Sequence, residues 1–454
     1  MSIFKDELVN GIRLFLVLFV TVTSAAYDYY YEQEPLLLSW YLKAGNITQA
    51  QQLSQTNVGG RTSYTGYYTT DQNCGNNLFF WFVPAQNDWN SAPVLLWLNG
   101  GPGSTSLFGL FTEVGPWNHL KTSGFVNNNY TWTTDHNVLF VDQPVGTGFS
   151  FTEKDCYATN ISETTNNMYT ALVQFFIMFP NLQKNTFFIT GESFTGHYGL
   201  ELAIKIHTEN QVASNLKINL IGVLIGNAVL DLGCKDASDL MYELGIVDEE
   251  QRTELKETQK QVIQAIEAKN YSKAIDLYNH RFYAGLPSEY NVLYDGNIKR
   301  VFYDYTLFVK DIRNRDSLHV GYTPFYDSND LVNSLLQEEI AKTQIPNIEF
   351  LLQTGQYIVG FYTGQLDTIV SVSSVTCTLR GLQWSGSSQY LNATHSPWRV
   401  SGRLAGWTKT VGNLLEIAVR DAGHYAPHDQ QEATLDMLKT VVSSKPGNLT
   451  PFGQ

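Results

Sequence analysis

Three side chains in this sequence have the types and spacing to attack a carbonyl and move a proton: Ser193, Asp367 and His424. A serine hydroxyl is a poor nucleophile at its own pKa and needs a base to take its proton. That base is commonly a histidine, which a carboxylate orients in turn. Ser193 lies in Phe187-Phe188-Ile189-Thr190-Gly191-Glu192-Ser193-Phe194-Thr195-Gly196-His197-Tyr198. There an apolar strand passes through a glycine-flanked turn into a helically spaced run, Leu200, Leu202 and Ile204. A bend of that kind lifts the hydroxyl clear of the sheet. Asp367 follows the apolar run from Tyr357 to Tyr362, and His424 follows the run from Leu414 to Val419. Taken singly, each has a plainer reading: a turn serine, a capping aspartate, a surface histidine. In the order Ser, acid, His, each just past a buried strand, they read together as a catalytic triad. Asp421 and His428 are the nearest rivals, and both are more simply explained as solvated loop residues.

The elements that must position these groups are legible as apolar runs. Tyr64 to Tyr68, Leu78 to Val83, Val94 to Leu98, Val138 to Val141 and Ile218 to Ile225 read as strands. Several are continuously apolar rather than alternating, which implies burial on both faces of a sheet. A helix is expected from Asn167 to Phe179, stopped by Pro180. The resulting expectation is an α/β-hydrolase fold, a mostly parallel central sheet flanked by helices. Residues 27–229 and 341–454 would form this catalytic domain, and 230–340 a helical cap insertion. The loop Asn99-Gly100-Gly101-Pro102-Gly103 ends one strand and frees its backbone to approach a ligand. The N–H groups of Gly101 and Phe194 are the candidate oxyanion hole. The loop is not a phosphate cradle, because the G-K-[S/T] ending is missing.

With 454 residues, 43% of them hydrophobic and 16% charged, the chain is globular rather than disordered. A formal net charge of -14 argues against a nucleic-acid partner. Lys5 and Arg13 precede the run from Leu14 to Val20, and Ser24-Ala25-Ala26 follow, so residues 1–26 read as a secretory signal peptide. No later stretch is long and apolar enough for a membrane span. Asn46, Asn129, Asn160, Asn270, Asn392 and Asn448 each open an N-x-S/T sequon, which supports the secretory pathway, secreted or lysosomal. Cys74, Cys156, Cys234 and Cys377 are an even set for such a compartment, so two disulfides are expected, with three pairings open. No metal-ligand spacing and no cofactor motif is present.

Trp97-Leu98-Asn99-Gly100-Gly101-Pro102-Gly103, Val141-Asp142-Gln143-Pro144-Val145-Gly146-Thr147-Gly148-Phe149-Ser150, Gly191 to Tyr198 and the Asp367 and His424 segments together resemble the serine carboxypeptidase family. The motifs keep family order from about position 36 to 432, most like the vitellogenic-like branch. Two departures stand out. Thr195 occupies a position where the family has a smaller residue, and Ser104 stands where many members have cysteine, so their common disulfide there is not expected. The resemblance implies release of C-terminal residues from peptides or proteins. It also implies capture of the substrate's α-carboxylate by Asn99, Gly100, Glu113 and Glu192. Two glutamates facing a carboxylate repel it unless they hold protons, so an acidic optimum is expected. The alternatives are an acyltransferase on the same scaffold and a catalytically idle binding or protective protein. Oligomeric state is not readable.

Overall fold

The computed structural model describes residues 34–121, 124–283, 291–292 and 305–452. The expected signal segment lies outside them, as does part of the tyrosine-rich stretch before Asp327. Fourteen strands are described: β1 (Gln55–Val58), β2 (Arg61–Asp71), β3 (Asn76–Val83), β4 (Val94–Leu98), β5 (Trp117–Lys121), β6 (Gly124–Asn127) and β7 (Asn137–Val141) come first. Then follow β8 (Phe151–Thr152), β9 (Phe187–Glu192), β10 (Leu220–Gly226), β11 (Ile358–Gly364), β12 (Ser396–Val400), β13 (Arg403–Val411) and β14 (Leu414–Val419). Twelve of them form one sheet in the order β1-β2-β3-β7-β4-β9-β10-β11-β14-β13-β12, with β8 beside β3, while β5 and β6 make a separate hairpin.

From β7 to β14 in that order, every neighbouring pair is parallel. These strands are the continuously apolar ones, and β4, β7, β9, β11 and β14 are buried along their whole length. Burial on both faces calls for apolar side chains at every position. The flanks are antiparallel: β1, β2 and β3 on one side, β13 and β12 on the other. Two apolar clusters cover the two faces. One holds Leu96, Ile189 and Ile225 with Leu172 and Phe175 of the helix Ile161–Met178; the other holds Trp97, Phe188 and Leu224 with Met437 of the helix Gln431–Val442.

The helix expected from Asn167 begins six residues earlier, at Ile161. Asn160 caps it by accepting a bond from Glu163 N–H, 3.0 Å. A capping asparagine satisfies one of the amides that a first helical turn leaves without a partner.

Between β10 and β11 the chain leaves the sheet. Helices Glu249–Glu267 and Tyr271–Tyr283 pack on each other through Val262, Ala265, Ala274 and Ile275, a small core of their own. The later part behaves differently, because Tyr305, Val309, Leu318 and Val320 join the core on the sheet. Disulfides pair Cys74 with Cys156 and Cys234 with Cys377, choosing one of the three pairings left open by the sequence. The second bond ties the start of the insertion to the helix Val372–Gly381 after β11.

Candidate active site

Every parallel strand of the sheet delivers its polar residues to the same carboxyl edge. Asn99 follows β4, Asp142 follows β7, Glu192 and Ser193 end β9, Asn227 follows β10, Asp367 lies past β11 and His424 past β14. Side chains as far apart in sequence as 99 and 424 meet there because parallel strands share one direction.

Ser193 sits at φ 59°, a left-handed conformation rare for a residue with a side chain. Two glycines make room for it. A Cβ on Gly191 would lie 2.1 Å from the Leu98 carbonyl oxygen, and one on Gly100 would lie 2.5 Å from Phe194 N and 2.7 Å from Ser193 Cβ. The β-branched Thr195 fits this crowded turn by using its hydroxyl, which donates to the Leu98 carbonyl at 2.8 Å. The bend therefore closes onto β4, against the loop that carries Gly101.

Asp367 is wholly buried and held from three sides. Its Oδ2 accepts from His424 Nδ1 at 2.7 Å and from Asn227 Nδ2 at 2.6 Å, while its Oδ1 accepts from Ile369 N–H at 2.7 Å. A carboxylate that accepts from Nδ1 leaves Nε2 of the ring as the basic nitrogen. His424 and Ser193 line one cavity of about 230 Å3, together with Asn99, Gly100, Gly101 and Glu192. The amides of Gly101 and Phe194 donate to no other described residue, and Phe194 stands at the N-terminus of the helix Thr195–Gln211. Helix N-termini favour negative charge.

Of the two rivals, Asp421 is exposed, as a solvated loop residue should be. His428 differs from that expectation: it is half-buried, and its Nδ1 lies 2.8 Å from the carbonyl oxygen of Thr112.

The carboxyls beside Ser193 are more unusual. Glu113 and Glu192 are both buried. Asn99 Nδ2 donates to Glu192 Oε1 at 2.9 Å, and Asn99 Oδ1 is fixed by Gly109 N–H and Trp97 Nε1. Burial raises both glutamates well above the usual carboxylate range, and their mutual repulsion raises Glu192 further. Glu113 and Glu192 also lie within hydrogen-bonding reach of each other, which two charged carboxylates do not tolerate; a proton between them makes the contact attractive.

Three supporting residues escaped the sequence reading. Asn227, at φ 44°, binds Asp367 and the Gly423 carbonyl through its Nδ2. Its only sequence signal is that it ends a buried strand. Asp429 Oδ2 accepts from Gly423 N–H at 2.7 Å, next to His424. Asp142 is buried and joins two site loops by accepting from Thr105 Oγ1, Ser106 N–H and Phe149 N–H; burial pushes it up to about 7.

A strained serine at a strand–helix turn, with an Asp–His pair on later strands of a parallel sheet, defines an α/β-hydrolase of the serine type. The family model "Serine carboxypeptidase" matches residues 54–444. A venom serine carboxypeptidase of Apis mellifera is 35% identical over 90% of this chain and 91% of its own length. A vitellogenic carboxypeptidase of Aedes aegypti is 35% identical over 89% of each chain. A probable serine carboxypeptidase CPVL of Mus musculus is 34% identical, covering 90% of this chain and 89% of its own. Among solved structures, a prohormone-processing carboxypeptidase from Saccharomyces cerevisiae superposes with a TM-score of 0.73 at 21% identity, covering 86% of this chain and 94% of its own. The chain belongs to the serine carboxypeptidase family, and it is a serine-type carboxypeptidase in class.

Proposed function

We propose that the protein releases single residues from peptide C-termini at acid pH, with Ser193, His424 and Asp367 as its catalytic triad. Ser193 Oγ attacks the scissile carbonyl carbon while His424 Nε2 takes the hydroxyl proton. Asp367 steadies the ring through Nδ1. The Gly101 and Phe194 amides receive the oxyanion, an interaction whose loss costs about 3 kcal/mol of barrier per donor. His424 then returns the proton to the leaving amine, and water hydrolyses the acyl-enzyme by the same route.

The observation that carries this reading is the shared cavity, in which Ser193, His424, Asn99 and Glu192 converge, while burial beside Glu113 favours the protonated form of Glu192. Asn99, the Gly100 backbone, Glu113 and Glu192 hold the substrate's free carboxylate. The sign of the pH dependence follows. Below the raised pKa values the pair keeps its protons and donates to the carboxylate; above them it ionises and repels it.

Within residues 230–340, the helices Glu249–Glu267 and Tyr271–Tyr283 act as a cap, which their separate apolar core around Val262 and Ala274 supports, while Tyr305, Val309, Leu318 and Val320 pack on the sheet. Secretory localisation is supported by the two disulfides, and glycosylation by the exposure of Asn46, Asn129, Asn270, Asn392 and Asn448 and the half-exposure of Asn160. No helix among the described residues is long and apolar enough to cross a membrane.

The test compares blocked dipeptides with free and amidated C-termini from about pH 4 to 8, a range that brackets raised carboxyl pKa values. The free acids are expected to be cleaved, best at the acid end, and not by Ser193→Ala. Equal cleavage of the amides would refute carboxylate capture.

A further inference from the structure

The cavity beside Ser193 contains a second acid that the mechanism does not use. Asp327 lines it together with Glu192, and among the described lining residues there is no lysine or arginine. The segment carrying Asp327 is tied down rather than loose. Tyr326 and Gly148 exchange backbone bonds of 2.9 Å, Thr105 N–H donates to the Asp327 carbonyl at 3.0 Å, and Asn329 N–H donates to the Gly103 carbonyl at 3.0 Å. The acid is thus fixed to the same loop that carries Asn99, Gly100 and Gly101.

The surroundings of the carboxyl suit a cation at the end of a flexible stem. The Tyr305 hydroxyl donates to Oδ1 of Asp327, and Oδ2 has no partner among the described residues. Phe108 and Tyr425 form part of the wall, their ring centroids 4.7 Å apart. Aromatic faces accept the methylenes of lysine or arginine and attract their charge. Burial raises Asp327, and the Tyr305 hydroxyl and exposed Lys310 offset part of this. An incoming cation would offset the burial cost that this carboxylate carries.

We propose that Asp327 is a specificity-determining residue that selects lysine or arginine as the C-terminal residue released. The inference rests on the carboxypeptidase reading and deepens it by naming the substrate class. Aromatic richness alone would have suggested an apolar residue at that end; the position of one acid reverses the expectation.

The experiment uses blocked dipeptides that share one residue before the scissile bond and end in Lys, Arg, Leu or Glu. Wild-type kcat/KM is expected to favour Lys and Arg over Leu by about tenfold or more, the size of a charged hydrogen bond, with Glu poorest. Asp327→Asn should bring the Lys-to-Leu ratio close to one, Asp327→Lys should invert it, and Asp327→Glu should keep its direction. Wild-type cleavage of Leu and Lys peptides alike, or an unchanged ratio in Asp327→Asn, overturns the assignment while carboxypeptidase activity stands. Failure to cleave any free-acid peptide instead overturns the activity. Calorimetric binding of the same peptides to Ser193→Ala protein then decides Asp327 separately: tighter binding of Lys and Arg peptides supports it, and equal binding overturns it.

Discussion

Two cavities meet at Ser193, and they are built in opposite ways. The first, about 230 Å3, is lined by the sheet-edge loop from Asn99 to Ser104, by Glu192 and by Asp327. The second, about 340 Å3, is lined by Phe194, Val229, Ile275, Tyr278, Ile340 and Ile369 on its apolar side and by Lys235 among its polar groups. Among the described lining residues, only Gly101, Ser193 and Ile369 belong to both. The first cavity is therefore acidic and rests largely on the loops that end the parallel strands, whereas the second mixes apolar side chains with Lys235, Asn279, Asn333 and Gln337 and takes much of its wall from the insertion. In the proposed function the substrate's terminal carboxylate, the same in every peptide, is held by groups on the rigid sheet. The second cavity would then take the variable residue before the scissile bond, and an insertion with its own small core can change that lining without disturbing the sheet.

Three variants would sharpen or break this contrast. Asn227→Ala should have the largest effect, because it removes one of the three groups that hold the Asp367 carboxylate. Steady-state kinetics should show kcat falling about a hundredfold with KM little changed, since the interaction serves the transition state rather than ground-state binding. An equal rise in KM would place Asn227 in binding instead. Glu113→Gln should affect only the first cavity. In the wild-type protein KM for free-acid peptides is expected to rise as pH climbs through the raised pKa values of the glutamates, on the order of tenfold. In Glu113→Gln that rise should flatten, because one of the two ionising groups is gone. A KM profile as steep as wild type would remove Glu113 from carboxylate capture. Tyr278→Ala should have the smallest effect, a several-fold loss of preference for large apolar residues before the scissile bond, within the range that pocket contacts provide. Its ratio of Lys to Leu cleavage at the C-terminal position should not move. A shift there would show that the two cavities are not independent.

The three proposed catalytic residues were legible because each follows a continuously apolar run, and β9, β11 and β14 are those runs. The antiparallel flanks were not all legible. β1 and β12 carry polar or charged residues such as Gln55, Asn57 and Arg399, since their outer faces meet solvent, and such patterns resemble loops. The elbow was readable from Gly191 and Gly196. How Thr195 fits was not, because its partner is the Leu98 carbonyl, 97 residues away.

Local sequence thus marked the proposed catalytic residues and determined that each stands just past a buried strand, because burial on both faces leaves an unbroken apolar signature. It determined the even cysteine set but not its pairing. Only the tertiary structure decided that Asn227 binds Asp367, that Glu113 and Glu192 share one buried site, and that Asp327 lines the same cavity as Ser193. Those relations depend on strand order and on the path of the connecting loops. The periodicity of a segment records how much of it is buried, and carries no trace of which distant segment buries it.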